Sequence, residues 1–201
     1  MEPVRPPDVR TRILQAAVEL LAEHGVGELT QPKVARAAGV RQSHLTYYFP
    51  TRADLLLGVA SHSIEAMASG MASAAREGSL TRETLAPALA AAVTDQRRAR
   101  VMLALVVTSG EDPQLKERFR QFVAAIRGRL RALLAQIGIA TDDRTLALCH
   151  TMLVGAAVLH FARDDAAARQ EVQAVARAIV DWILAVPDPG AQRQQQKTGA
   201  A

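Results

Sequence analysis

The chain has 201 residues, 49% of them hydrophobic, and a single cysteine, Cys149. That is enough apolar matter for a sizeable core, and one thiol excludes an intramolecular disulfide and suits a reducing cytoplasm. The net charge of +4 points to an anionic partner. No unbroken apolar run approaches the roughly 18 residues of a membrane helix, and MEPVRPPD lacks the apolar core of a signal peptide, so a cytoplasmic protein with no membrane partner is expected.

Alanine and leucine dominate the apolar residues and aromatics are few, which favours helices over strands and predicts an all-α fold. After a flexible arm at 1–8, the first helix runs from about Val9 to His24, with Ile13, Leu14, Ala17 and Leu21 on one face and Gly25 as its stop. Thr30 caps a short second helix that tolerates Pro32 in its first turn and breaks at Gly39. A third short helix spans about Arg41 to Tyr48, and Pro50 prevents its continuation. A long fourth helix starts near Thr51 with a stripe of Ala60, Ile64, Met67 and Met71, and ends before Gly78. Leu85–Val93 and Val101–Val107 read as buried helical segments split by the charged DQRRAR. Pro113 opens a helix striped by Leu115, Phe119, Phe122, Ile126, Leu130, Leu133 and Ile137, which Gly138 ends.

The last two helices differ from the others. From Leu146 to Phe161 apolar or small residues occupy almost every direction, so this helix must be covered on both sides. The final helix repeats Val172, Val175, Ala176, Ile179, Ile183 and Val186 at three-and-four spacing. A homodimer is expected through this pair, with Met152, Gly155, Ala156, Leu159, Val172, Val175, Ala176, Ile179, Trp182 and Ile183 at the interface; the alternative is a deeper core within one chain. The polar tail at 187–201 is expected to be disordered.

Two short helices joined by a tight turn at Gly39, the second of them basic, describe a helix-turn-helix. Ala35 and Ala38 allow close approach, Gly39 accepts a positive φ, and Val40, Leu45 and Phe49 anchor the second helix from within. Gln42, Ser43, His44, Thr46 and Tyr47 are left pointing outward, all able to hydrogen-bond base edges or phosphates. From Leu29 to Ala53 there are four basic residues (Lys33, Arg36, Arg41, Arg52) and no acidic one. Three of the chain's seven aromatics, Tyr47, Tyr48 and Phe49, stand in a row at the end of this helix. Phe49 reads as core and Tyr47 as a DNA contact, while Tyr48 either joins Tyr47 or packs beneath it.

Thr30 to Val40, T-x-x-x-V-A-x-x-A-G-V, followed by LTYYFPTRADLL from Leu45 to Leu56, resembles the TetR family of bacterial transcriptional regulators. The resemblance implies a DNA-binding unit at 9–50 on a helical ligand-binding and dimerisation domain at 51–186. It implies that Gln42, Ser43, His44, Thr46 and Tyr47 meet the major groove of double-stranded operator DNA, while Thr30, Lys33, Tyr48 and Arg52 hold its backbone. Arg41 is counted with them. Thr46 stands where the family usually has tyrosine, Arg41 where it often has a small polar residue, and Pro32 where a side chain can reach DNA. The resemblance further implies a pocket for a small-molecule effector, coupled to the DNA-binding unit through the fourth helix, and hence a homodimeric repressor released by its ligand. Met67, Met71, Met102, Phe122, Cys149 and Met152 are candidates for lining that pocket, because soft side chains shape adaptable cavities.

Other functions fit less well. Between Asp95 and Arg131 nine basic residues stand against four acidic, but Arg118, Arg127, Arg129 and Arg131 lie mostly off the apolar stripe, as solvated charges do. His150 and His160 are ten residues apart, about 280° around a helix, so they share no face and no metal site is expected. Ser43 and His44 are adjacent and point apart, and no phosphate loop or paired carboxylates appear, so neither catalytic residues nor a cofactor are expected. A transcriptional activator of the same fold is one alternative. A helical interaction protein that has lost DNA binding is the other, and the lack of acidic residues on the outward face of the third helix speaks against it.

Overall fold

The computed structural model describes residues 8–185, and among these the protein is all-α, with nine helices and no strand. In order they are α1 (Val9–His24), α2 (Gln31–Ala37), α3 (Gln42–Tyr48), α4 (Arg52–Arg76), α5 (Leu85–Val93), α6 (Gln96–Glu111), α7 (Pro113–Gln136), α8 (Asp143–Arg163) and α9 (Ala166–Ala185), with a single 3-10 turn at Val26–Glu28. The expected tail at 187–201, and the expected arm apart from Asp8, lie outside the described residues. The chain divides into two compact units. One gathers the residues up to Glu65 with Gln96–Gln121, the other Ala66–Asp95 with the residues from Phe122 on.

The first unit is organised around α1. Its N-terminus is capped by the Asp8 carboxylate, which accepts from the Thr11 amide at 2.7 Å. Ile13, Leu14, Ala17 and Leu21 are fully buried, as are Val34 of α2, Leu45 of α3 and Leu55, Val59 and Ala60 of α4, and α1 packs on α2 and α3. Gly39 adopts φ +63° in the turn between α2 and α3. This unit reaches past residue 50, because α4 up to Glu65 and all of α6 belong to it. Helix α6 packs on α1, and its Arg100 donates from Nη1 to the Ala22 carbonyl, at the end of α1 where carbonyls lack helical partners.

Three sequence expectations are corrected in this unit. Thr30 occupies the position before α2 in an extended conformation, but its side chain makes no capping hydrogen bond. The charged DQRRAR does not break a helix: the break falls at Thr94 and Asp95, and QRRAR forms the first turns of α6. Arginine is a good helix former, so charge alone does not end a helix. Val106 and Val107, expected to be buried, are exposed, because Val101, Ala104 and Leu105 already supply the buried face of α6.

In the second unit, α8 and α9 pack along each other and α5 lies against α9. One apolar core joins Leu85, Leu89 and Ala90 of α5, Leu133 and Leu134 of α7, Leu146, Cys149 and Leu153 of α8, and Val172, Ala176, Ile179 and Ile183 of α9. The seam expected to meet a second subunit is therefore used largely within the chain. Val172, Ala176, Ile179 and Ile183 are at most 3% exposed and are core residues, which corrects their assignment to the interface; Val186 lies outside the described residues. A further correction concerns α8, which among the described residues is the helix long and apolar enough to cross a membrane by length and composition. Three scattered arginine and aspartate positions near its ends interrupt no turn of its apolar middle, so counting unbroken runs missed it. Its packing along α9 accounts for one of its apolar faces.

Helix α4 begins with a reciprocal cap. The Thr51 hydroxyl accepts from the Asp54 amide at 3.0 Å, and the Asp54 carboxylate accepts from the Thr51 amide at 2.8 Å and from its hydroxyl at 2.7 Å. Asp54 also pairs with Arg118 of α7. Burial works to raise the Asp54 carboxyl, but the hydrogen bonds from Thr51 and the Arg118 guanidinium outweigh it and hold the pKa below its ordinary value. A lowered folded pKa means stabilisation that is complete above the ordinary aspartate pKa and lost as pH falls through the folded value. Asp54→Ala should therefore cost about 1 kcal/mol at pH 7, and distinctly less in acid below both pKa values. Urea unfolding at the two pH values checks this, and an equal loss at both would contradict it.

Gly58 on α4 makes room for Phe49. A Cβ there would lie 2.6 Å from Phe49 Cε1 and 3.2 Å from Leu14 Cδ2. Although alanine is the better helix former, Gly58→Ala should destabilise the protein by about 1–3 kcal/mol through overpacking. Thermal unfolding reads this directly; an unchanged or raised midpoint would show that the Phe49 ring is not confined.

Candidate nucleic-acid interface

Helix α3 has seven residues, too few to persist alone in water, so its conformation must come from what holds it. Leu45 and Phe49 are 0% and 4% exposed, and this i, i+4 pair sinks one side of the helix into the first unit. At its start, Arg12 of α1 donates from Nη2 to the carbonyls of Ala38 (3.0 Å) and Gly39 (3.1 Å) in the preceding turn. At its end, Gln31 of α2 donates from Nε2 to the carbonyls of Phe49 (2.8 Å) and Pro50 (3.0 Å). Arg10 lies over the Phe49 ring, 5.8 Å from its centre. The side chains of Arg12 and Gln31 thus clamp both ends of α3. Neither was singled out in the sequence, because their partners are carbonyls 18 to 27 residues away and no local spacing reveals them.

With one side held, the other faces outward. Arg41, Gln42, Ser43, His44, Tyr47 and Tyr48 are exposed. Tyr47, at 80% exposure, stands almost free of its own chain, while Tyr48, at 41%, meets it edge to face with ring centres 5.2 Å apart. Thr46 is half-buried, and its hydroxyl donates back to the carbonyls of Gln42 (3.1 Å) and Ser43 (3.2 Å). That bond occupies the donor of Thr46 and leaves its acceptor capacity.

The residues expected at phosphates are engaged to different degrees. Thr30 is half-buried. Lys33 pairs with Glu28, a solvent-exposed bridge worth little, which phosphate could replace. The Lys33 hydrogen bond holds the Glu28 carboxyl below its ordinary pKa. Arg52 has a structural role: its Nε donates to the Leu29 carbonyl (3.2 Å) and its Nη2 to the Val26 carbonyl (2.8 Å), tying α4 to the segment before α2.

The other sequence candidates lie apart from this face. Met102 belongs to the first unit, while Met67, Met71, Phe122, Cys149 and Met152 belong to the second. Cys149 is core, and burial pushes its thiol up to about 11. Met71 packs against the same core, Phe122 is buried, and Met67 is half-buried. Met152 is exposed on α8, where it lines an apolar groove of about 350 Å³ with Leu148, Val175, Ala178, Ile179 and Trp182. Among the expected interface residues Met152, Gly155, Leu159 and Trp182 are exposed, and Ala156 and Val175 are half-buried. Leu148, Val154 and Val158 are exposed apolar residues on the same two helices that the sequence reading did not name.

Comparison with known proteins bears on both units. Residues 13–59 match the family model described as bacterial regulatory proteins, tetR family. No curated protein matches the chain in sequence. Among solved structures, a TetR transcription regulator from Haloarcula marismortui superposes with a TM-score of 0.65 at 20% identity, over 87% of this chain and 97% of that one. The multidrug binding protein EbrR complexed with ethidium superposes at 0.63 with 24% identity, over 87% and 99% of the two chains. A protein from Saccharomonospora viridis in complex with choline superposes at 0.62 with 16% identity, over 86% and 95%. At such identities the structures share the all-helical fold, and the family match is confined to residues 13–59, from α1 into the first turns of α4. The chain thus carries the helix-turn-helix DNA-binding domain of the tetR family of bacterial regulatory proteins, formed by α2 and α3, within a TetR-like all-helical fold.

Proposed function

We propose that the protein is a homodimeric repressor that binds a palindromic operator through α3 and is released by a small-molecule effector. The observation that carries the DNA-binding part is the face formed by Gln42, Ser43, His44 and Tyr47, exposed above a buried Leu45 and Phe49 in a stretch with no acidic residue from Leu29 to Ala53. Such a face offers donors and acceptors to base edges while Lys33 and Arg41 meet phosphates. Thr30, Tyr48 and the outer edge of Arg52 complete the backbone contacts in this reading, and Thr46 offers its oxygen rather than its hydrogen. No catalytic role is assigned to any of these groups.

Two copies of such a unit enter successive major grooves only if their recognition helices are spaced by about one helical turn, roughly 34–36 Å. The exposed apolar side chains of α8 and α9 (Leu148, Met152, Leu159 and Trp182) support pairing of two chains there, since a contiguous apolar surface of this kind is costly in water. Ligand release follows from differential binding: an effector that favours a dimer with another spacing lowers operator affinity. Structural neighbours solved with ethidium and with choline support a ligand-binding role for this fold. The reading places the protein in the cytoplasm, where its operator is.

Binding of the full chain to mixed-sequence duplexes, followed by fluorescence anisotropy across a salt titration, tests the interface. Lys33→Ala should weaken binding to all duplexes alike and flatten the log–log salt slope by about 1. An unchanged slope would put Lys33 outside the footprint. Leu159→Glu should turn a dimer into a monomer in sedimentation velocity and leave the helical content intact; a persisting dimer would move the interface elsewhere.

A further inference from the structure

The four basic residues between Leu29 and Ala53 are not equally available to an anion. Arg36 and Arg41 are exposed, and among the described residues neither guanidinium has an ion pair or a hydrogen bond. Arg52 donates to the carbonyls of Val26 and Leu29, which leaves its charge uncompensated. Lys33 differs from all three. Its Nζ pairs with the carboxylate of Glu28, five residues back across the start of α2, so its charge is already neutralised.

Glu28 is held in place for this pairing. It closes the 3-10 turn Val26–Glu28, which follows Gly25 at φ +78°. Arg52 grips a carbonyl on either side of it in the chain, and its own carbonyl accepts from the Thr30 amide at 2.8 Å. A carboxylate on a fixed backbone gives up less freedom in an ion pair than one on a loose loop. Both partners are about half exposed, so the pair faces water. Lys33 shares the outward side of α2 with Arg36, three residues on, opposite the buried Val34 and Ala35. A phosphate arriving at Lys33 therefore meets a carboxylate on the same ammonium.

We infer that Glu28 is a built-in competitor of the DNA backbone. It occupies Lys33 in the free protein, is displaced when Lys33 meets a phosphate, and then stands beside that phosphate as a like charge. Phosphate contacts carry no sequence information, so this competition lowers affinity for every duplex alike. Non-specific sites vastly outnumber operators, and a uniform reduction frees the protein from them. The inference rests on Lys33 meeting a phosphate, as proposed above, and adds the residue that opposes it.

Glu28→Gln keeps the size and hydrogen-bonding capacity of the side chain and removes its charge. Fluorescence anisotropy of the full chain with labelled mixed-sequence duplexes should show binding about two- to fivefold tighter at about 50 mM salt. The gain should be the same for every duplex and shrink towards about 200 mM, where both the pair and the repulsion are screened. In a Lys33→Met background the gain should be smaller, since repulsion remains but no pair has to be broken. The melting temperature should change little, because an exposed pair contributes little to stability. Unchanged or weaker binding overturns the inference, as does an equal gain in both backgrounds or a gain that depends on duplex sequence. Lys33→Ala separates the two layers. A flattened salt slope with no effect of Glu28→Gln ends the competition and keeps the phosphate contact; no effect of either variant removes both.

Discussion

Everything the first unit offers to DNA depends on burying one side of a helix two turns long. Helix α3 has no capping side chain and too few hydrogen bonds to pay for its own nucleation. It exists because Leu45 and Phe49 are inside, and it is aimed because Arg12 and Gln31 hold the backbone at either end. Phe49 is seated where Gly58 leaves space, so the position of α3 is set by a residue on α4 that touches no outward side chain. Rigid support of this kind lets polar side chains present donors and acceptors in a fixed pattern, which base readout requires. It also explains the crowding of aromatics: Phe49 supplies the buried anchor, Tyr47 the exposed ring, and Tyr48 the edge that packs on Tyr47.

The second unit is governed by a different balance. Its core takes the inner faces of α5, α7, α8 and α9, including the seam of α9. What remains is an outer apolar surface on α8 and α9. It is a local departure from the rule that apolar groups are covered, and such departures concentrate where function lies. In the proposed homodimer a second chain covers it.

Much of this was legible in the sequence. Periodicity and stop signals located the helices, since Gly25, Pro50, Gly78 and Gly138 end segments in ways that need no tertiary context. The alternation of buried Leu45 and Phe49 with polar neighbours exposed the face of α3 in the same way. What stayed hidden depends on contacts distant in sequence. A three-and-four repeat on α9 says that a face is buried but not by which chain, so Val172, Ala176, Ile179 and Ile183 were placed at an interface although α5 and α8 cover them. Arg52 looked free for phosphate because the carbonyls of Val26 and Leu29 that it holds carry no side-chain signal. Arg127 looked solvated because its helix position lies beside the apolar stripe, yet its Nε is enclosed.

The central claim is that the outward face of α3 reads DNA sequence. The most direct measurement is selection of bound duplexes from a random library by the full chain at about physiological salt, since low salt lets phosphate contacts mask base readout. The account predicts enrichment of an inverted repeat, and a changed half-site when Gln42 or Tyr47 is replaced by alanine. A folded protein that enriches no sequence, or whose preferred sequence is indifferent to both substitutions, would contradict it.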